Sequence, residues 1–199
     1  MLSKPHGMPG DAALFFGLWL QKPLQIASIY PSSTRLAEVM ARLVDLGRPG
    51  PVLELGAGTG SLTRGLLRAG CPPERLIALE CEPRLGETLR RGCPGIATII
   101  GDATALEDLL AEREIERLCT VVSSLPIKWF SVAEQRAVVA PCLARLGSGG
   151  RFLQMTNAFS SPLATRRLGI AGKAVNRVWR NLPPAQIWAY TAPADQHHG

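Results

Sequence analysis

The chain has 199 residues, enough for one full α/β domain and too few for two ordinary ones. Its 46% hydrophobic and 19% charged residues exclude a disordered protein. A formal charge of +6, from 22 basic and 16 acidic residues, permits nucleic-acid or anionic-membrane partners without choosing between them.

Residues 1–10 hold two prolines and two glycines and predict a loose end. Asp11 to Lys22 reads as a short helix, with Asp11 as cap, Pro23 as stop, and Phe15, Phe16, Leu18, Trp19 and Leu20 as apolar bulk. Ala12 to Leu20 has the length of a signal-peptide core. Asp11 abuts it, however, and Gln21-Lys22-Pro23 stands where a small-residue cleavage site belongs, so no signal peptide is expected. A second helix follows Pro31-Ser32-Ser33, with Leu36, Val39, Met40 and Leu43 at helical spacing.

From there strands and helices alternate. Strands are expected at Pro51 to Leu55, Arg75 to Glu80, Ala97 to Ile100, Leu118 to Ser123 and Gly150 to Thr156. Helices are expected at Ser61 to Arg68, Arg84 to Arg91, Leu106 to Arg113 and Val132 to Leu146. Such alternation implies right-handed crossovers and a parallel sheet. Lys173 to Arg180 and Gln186 to Thr191 then read as two strands joined by a turn at Asn181-Leu182-Pro183-Pro184, and so antiparallel.

Two global features bear on partners. No apolar run approaches the ~20 residues needed to cross a bilayer. From Gln135 to Ala194 there is no acidic residue, while Arg136, Arg145, Arg151, Arg166, Arg167, Lys173, Arg177 and Arg180 all fall there. That stretch is either a solvated basic face or a surface turned toward an anion. Cys71, Cys81, Cys93, Cys119 and Cys142 are odd in number and lack metal-ligand spacing. Reduced structural thiols in a cytosolic protein, and no metal, are expected.

The segment Val52-Leu53-Glu54-Leu55-Gly56-Ala57-Gly58-Thr59-Gly60 follows a buried strand and opens a helix, the context of a nucleotide-binding loop. Ser61 stands where a pyrophosphate-binding loop needs its third glycine, which leaves GxGxG preceded by Glu54. Glu80 ends the next strand, about 20 residues on, where an acid can take two ribose hydroxyls. Gly101-Asp102-Ala103 follows the third strand.

This set resembles the cofactor motifs of class I, S-adenosylmethionine (SAM)-dependent methyltransferases. The resemblance implies a Rossmann-like, seven-stranded α/β sheet with an antiparallel last strand, plus N-terminal helices. It also implies a SAM site built from Glu54, Gly56, Ala57, Gly58, Thr59, Gly60, Glu80, Cys81, Asp102, Ala103 and Ser123. Glu54 would hold the amino end of the methionine moiety, and Asp102 would accept from the adenine amino group.

The fourth strand ends Ser123-Ser124-Leu125-Pro126-Ile127. Enzymes that methylate exocyclic base nitrogens carry Asn or Asp, Pro and then a stacking aromatic there. Ser124 and Ile127 replace these, which disfavours a nucleobase. With Ile29-Tyr30-Pro31-Ser32-Ser33 and Val178-Trp179-Arg180-Asn181-Leu182-Pro183-Pro184, the segment resembles the soluble bacterial phospholipid N-methyltransferases. That resemblance implies successive methylation of phosphatidylethanolamine toward phosphatidylcholine. It places the enzyme in the cytoplasm, as a monomer bound peripherally to anionic lipids on the inner face of the cell membrane. Alternatives are an RNA adenine N6-methyltransferase and a non-catalytic membrane- or protein-binding module of the same fold. The helix at Ala12 to Leu20 is either a membrane-docking element or a buried one, being apolar nearly all round.

All three histidines, His6, His197 and His198, lie near the chain ends, so a histidine base is not expected. Tyr30, Tyr190 and the backbone carbonyls of Ser123 and Leu125 are the candidates to hold the acceptor amine, with a pocket-wall role for Tyr30 as the alternative. Arg166, Arg167, Lys173 and Arg180 are the candidates for the lipid phosphate. The expected organisation is a flexible end (1–10), N-terminal docking or lid helices (11–46), a SAM-binding domain (47–192) and a flexible tail (193–199).

Overall fold

Strands that are apolar at nearly every position need cover on both faces, and the central strands here are of that kind. β1 (Val52–Leu55), β2 (Leu76–Glu80) and β4 (Thr120–Ser123) are buried at every residue. The computed structural model describes residues 31–178 and 185–192. The helix expected at 11–22, the ends expected to be flexible, Tyr30, Arg180 and the turn expected at 181–184 lie outside the described residues.

Seven strands form one sheet in the order β3-β2-β1-β4-β5-β7-β6, where β3 is Ala97–Ile100, β5 Arg151–Thr156, β6 Ala171–Val178 and β7 Ala185–Thr191. β1 to β5 pair in parallel, and β7 runs antiparallel between β5 and β6. The chain order reverses between β1 and β4, and the loops leaving their carboxyl ends diverge there to open a crevice.

Helices cover both faces. On one face Leu53, Leu55, Val121 and Phe152 meet Leu106 and Leu110 of α4 (Leu106–Ala111) and Val138, Val139 and Cys142 of α5 (Val132–Leu146). On the other, Val52, Val122 and Leu153 meet Leu36 and Met40 of α1 (Pro31–Ala41) and Leu62 and Leu66 of α2 (Ser61–Arg68). α1 and α2 cross so closely that a Cβ added at Gly65 would lie 2.6 Å from the Ala37 Cβ. The last helix of the expected docking segment is therefore built into the core.

Most elements begin and end where the residue pattern places them. α3 (Pro83–Gly92) starts on a proline behind Glu82, whose side chain accepts from the Arg84 N–H. α5 opens with a capping box, Ser131 Oγ accepting from Glu134 N–H while Glu134 Oε2 accepts from Ser131 N–H. α4 stops short of Arg113 because Glu114 turns to φ 54° and Ile115 N–H returns to the Leu110 carbonyl at 3.0 Å. Opposite the crevice, the Arg75 guanidinium donates to the carbonyls of Leu46, Arg48 and Gly50 and fixes the entry to β1. β6 is an edge strand, exposed along most of its length, and its Lys173 and Arg177 blunt that edge.

Candidate active site

The glycine loop is shaped by hydrogen bonds to β2. Gly56 and Ala57 N–H both donate to the Leu79 carbonyl, at 2.9 and 3.1 Å, and Gly58 N–H donates to Glu80 Oε2 at 2.7 Å. Gly56 and Gly58 sit at φ 76° and 56°, a region that side chains with a Cβ rarely enter. Their surroundings differ. A Cβ on Gly56 would press on Leu125 Cδ2 at 3.0 Å, whereas one on Gly58 would meet nothing within 4 Å. Gly58 thus presents bare backbone to open space, the property a ligand-cradling loop requires.

Three carboxylates stand at or beside the tips of β1, β2 and β3. Glu80 is buried, and its carboxylate accepts from Gly58 N–H and, at 3.0 Å, from Glu82 N–H. A carboxylate has about four acceptor positions, so it can also take ribose hydroxyls. Cys81 leans on it, Sγ to Oε1 3.6 Å, and burial followed by the charge of Glu80 pushes that thiol up to about 12. Asp102 is exposed and accepts from Thr104 N–H at 2.8 Å, holding the turn that carries the buried Ala103.

Glu54 is fully buried; Oε2 accepts from Thr63 Oγ1 at 2.7 Å and Oε1 has no partner. Burial pushes its carboxyl up to about 8, against the lowering effect of the Thr63 hydrogen bonds; Glu80 raises it slightly further and Arg64 pulls it down. An orphaned buried carboxylate oxygen beside an open glycine loop fits the ammonium of a methionine moiety. The residues present suit SAM.

Across the crevice, β4 ends at the buried Ser123, whose Oγ accepts from Leu125 N–H at 3.3 Å. Ser124 Oγ donates to the Gly56 carbonyl at 2.6 Å and so ties this loop to the glycine loop. The Leu125 carbonyl, expected to hold the acceptor amine, is already engaged twice, by Ile127 N–H at 2.8 Å and by Gln154 Nε2 at 2.9 Å. A carbonyl oxygen has two lone pairs, so this one has none to offer. Ile127 is buried in the core and supplies no stacking surface.

Two further expectations are corrected by position. Tyr190 is fully buried against Phe152 and Trp188, pairs with Phe152 near the amino end of β5, and shares its hydroxyl with Ser161 at 2.8 Å. Burial raises it to about 12, opposed by the Ser161 bond. It is a core residue at the far end of the sheet. Arg166 and Arg167 lie on α6 (Thr165–Leu168), which leads to Ala171 opposite Thr191, again at the end remote from the glycine loop. Lys173 sits midway along β6, opposite Ala189. Arg177, level with Gln186, is a cation at the crevice end, with its guanidinium 5.8 Å from the ring centre of the exposed Phe159.

Residue patterns alone also missed Gln154 and Gln186, buried amides within otherwise apolar strands. A glutamine inside an apolar strand was the available signal. Among the described residues no cluster could hold a metal ion, the five cysteines are unpaired, and no helix is long and apolar enough to cross a membrane.

Solved structures share this architecture. The O-methyltransferase of Bacillus cereus, in complex with S-adenosylhomocysteine (SAH), superposes with a TM-score of 0.63 at 14% identity, over 87% of this chain and 90% of that one. The magnesium protoporphyrin IX methyltransferase of Synechocystis, with bound SAM, gives 0.61 at 13% identity, over 94% and 100%. The sheet order, the glycine loop and the carboxylates at the strand tips define a class I SAM-dependent methyltransferase with SAM as its cofactor.

No family model matches the chain. The ornithine lipid N-methyltransferase of Singulisphaera acidiphila is 34% identical over 149 residues, which span 73% of this chain and 78% of that protein. The chain belongs to this lipid N-methyltransferase family. The ribosomal RNA small subunit methyltransferase A of Phenylobacterium zucineum is 30% identical over 126 residues, 58% of this chain and 42% of that protein.

Proposed function

We propose that the protein transfers methyl groups from SAM to the primary amine of a membrane lipid headgroup. The observation that carries this reading is the similarity to the ornithine lipid enzyme across most of both chains, joined to a crevice whose donor side suits SAM. Ornithine lipid is the first acceptor to consider. Phosphatidylethanolamine is the second, supported by the segments at 29–33, 123–126 and 178–184.

Held by Glu54, the glycine loop and Glu80, SAM would supply an electrophilic methyl group, its S–C bonding pair leaving with SAH as the amine lone pair forms the N–C bond. The protein's work is to orient the two partners, exclude water and hold the amine in its neutral form. A primary ammonium titrates near ~10 in water, and an apolar surround lowers that value. Leu125, whose side chain lies against Gly56 where the β4 loop meets the glycine loop, supplies such a surround.

The β6 rim is the proposed membrane contact. Arg177 and the exposed Phe159 combine a cation and an apolar ring at the crevice mouth, a pairing that suits an anionic lipid surface. On this reading the enzyme works peripherally on the inner face of the membrane.

Incubation with methyl-labelled SAM and vesicles of ornithine lipid, vesicles of phosphatidylethanolamine, or ribosomal RNA tests the reading. Label is expected in a lipid fraction. Label in RNA, or in no fraction, overturns it. The RNA outcome is the less expected one because the buried Ile127 offers a base no stacking surface.

A further inference from the structure

Leu55, Ser123, Gln154 and Trp188 occupy one row across the sheet, each opposite the next, at the level where the crevice loops begin. Gln186 lies two pairs further out, opposite Thr156. Alternation along β5 and β7 puts the side chains of Gln154, Gln186 and Trp188 on one face. Gln154 and Gln186 are buried, yet Gln154 Oε1, both amide atoms of Gln186 and Trp188 Nε1 have no hydrogen-bond partner. Four orphaned polar atoms on one patch are unusual in a native fold and call for a functional or solvent partner from outside the chain.

The amide of Gln154 has a defined direction. Its Nε2 donates to the Leu125 carbonyl at 2.9 Å and to the Met155 carbonyl at 2.7 Å. Both partners can only accept, so both amide hydrogens are spent and Oε1 is left as a pure, uncharged acceptor. The doubly engaged Leu125 carbonyl offers no acceptor on this side. Trp188 Nε1 can only donate, and the Gln186 amide can donate as well.

We propose that this patch seats the acceptor headgroup. Gln154 Oε1 accepts an N–H of the amine to be methylated, and the N–H groups of Gln186 and Trp188 hold the oxyanion a few bonds away. The inference rests on the lipid-amine reading above and specifies its chemistry. A neutral acceptor orients the amine without favouring its protonated form, as a carboxylate at the same place would. The shared ligand is a headgroup with a primary amine and an acid oxyanion, the carboxylate of ornithine or the phosphate of phosphatidylethanolamine.

Steady-state kinetics on vesicles of each lipid, with SAH calorimetry on every protein, test it. Gln186→Leu and Trp188→Phe are expected to raise lipid KM about tenfold, with SAH affinity within about twofold of the parent. Gln154→Glu is expected to move the acid limb of the kcat–pH profile alkaline by about one unit, a shift that a packing defect would not produce. The lipid whose KM moves more identifies the oxyanion. Unchanged lipid KM in both outer variants, together with a superimposable pH profile for Gln154→Glu, overturns the inference while the lipid reading stands. A parent protein that binds SAH and methylates neither lipid removes that reading, and this inference with it.

Discussion

The two halves of the crevice treat their buried polar groups differently. On the donor half, formed by the tips of β1, β2 and β3, nearly every polar atom already has a partner within the chain. Glu80 holds Gly58 and Glu82, and Asp102 holds Thr104; Glu54 Oε1 is the exception. On the acceptor half, formed by β5 and β7, Gln154 Oε1, the Gln186 amide and the Trp188 indole N–H stay unsatisfied on one patch. A cofactor common to a whole class can be met by a loop that holds its own shape. A variable acceptor has to be met by side chains whose hydrogen bonds are completed only on binding.

The largest expected effect breaks the donor half. Gly58→Val puts a β-branched residue at φ 56° and projects its side chain into the space over the loop. SAM and SAH affinity should fall about a hundredfold, since each tenfold corresponds to about 1.4 kcal/mol, and calorimetry reads this directly. Affinity within about threefold of the parent would mean that the ligand does not lie over Gly58.

Glu54→Gln sharpens the exception. The buried carboxyl is raised from an ordinary 4.5 to about 8, so between these values the folded state holds a proton that the unfolded state has lost. Stability therefore falls as pH rises through that window, and the substitution abolishes the fall. At pH 8 the variant should be more stable than the parent by about 1–3 kcal/mol, and near pH 4 the gain should vanish; denaturant titrations at both values decide. SAM affinity should drop about tenfold. In the parent, binding at pH 7 should release a proton, visible as a buffer-dependent heat in calorimetry. A heat independent of buffer would detach the ammonium from Glu54.

Arg177→Ala addresses the rim of the acceptor half. A basic residue near an anionic surface contributes about 1 kcal/mol, so vesicle binding should weaken about fivefold and lose part of its salt dependence, with SAH affinity unchanged. Sedimentation with anionic vesicles at two ionic strengths measures it. An unchanged partition would move the docking face away from β6.

The same contrast governs what residue patterns could reveal. The donor half is local in sequence: glycines two apart, acids at consecutive strand tips, each readable from spacing. The acceptor half is not. Gln154 and Trp188 become neighbours only because β7 inserts antiparallel beside β5, and each reads as a stray polar or aromatic residue in an apolar strand. The Leu125 carbonyl looked available because its partner, Gln154, comes from another strand. Arg166 and Arg167 follow β5 in the chain, but the chain descends to the far end of the sheet before β6 begins, so sequence proximity misplaced them. Tyr190 is a candidate only as one of the chain's two tyrosines, and it is in fact the packing partner of Phe152.

The smallest expected effect probes the seam between the halves. Ser124 Oγ donates to the Gly56 carbonyl at 2.6 Å, while Ser124 N–H separately donates to the Leu55 carbonyl at 3.0 Å. Ser124→Ala removes the first bond and keeps the second, so the β4 loop stays in place but is held to the glycine loop by one link fewer. A net hydrogen bond contributes about 1 kcal/mol, which sets the expected loss of stability. The kinetic consequence is separable from it. If the bond only supports the fold, kcat at saturating SAM and lipid stays at the parent value once the protein is folded. If it sets the distance between the methyl donor at the glycine loop and the amine above β5, kcat falls about three- to fivefold while SAH affinity and lipid KM hold, because in-line transfer is sensitive to small errors in approach. The second outcome is the expected one. Ser124 reaches across the line where donor side meets acceptor side, and a tie at that place constrains the one coordinate that the reaction must shorten.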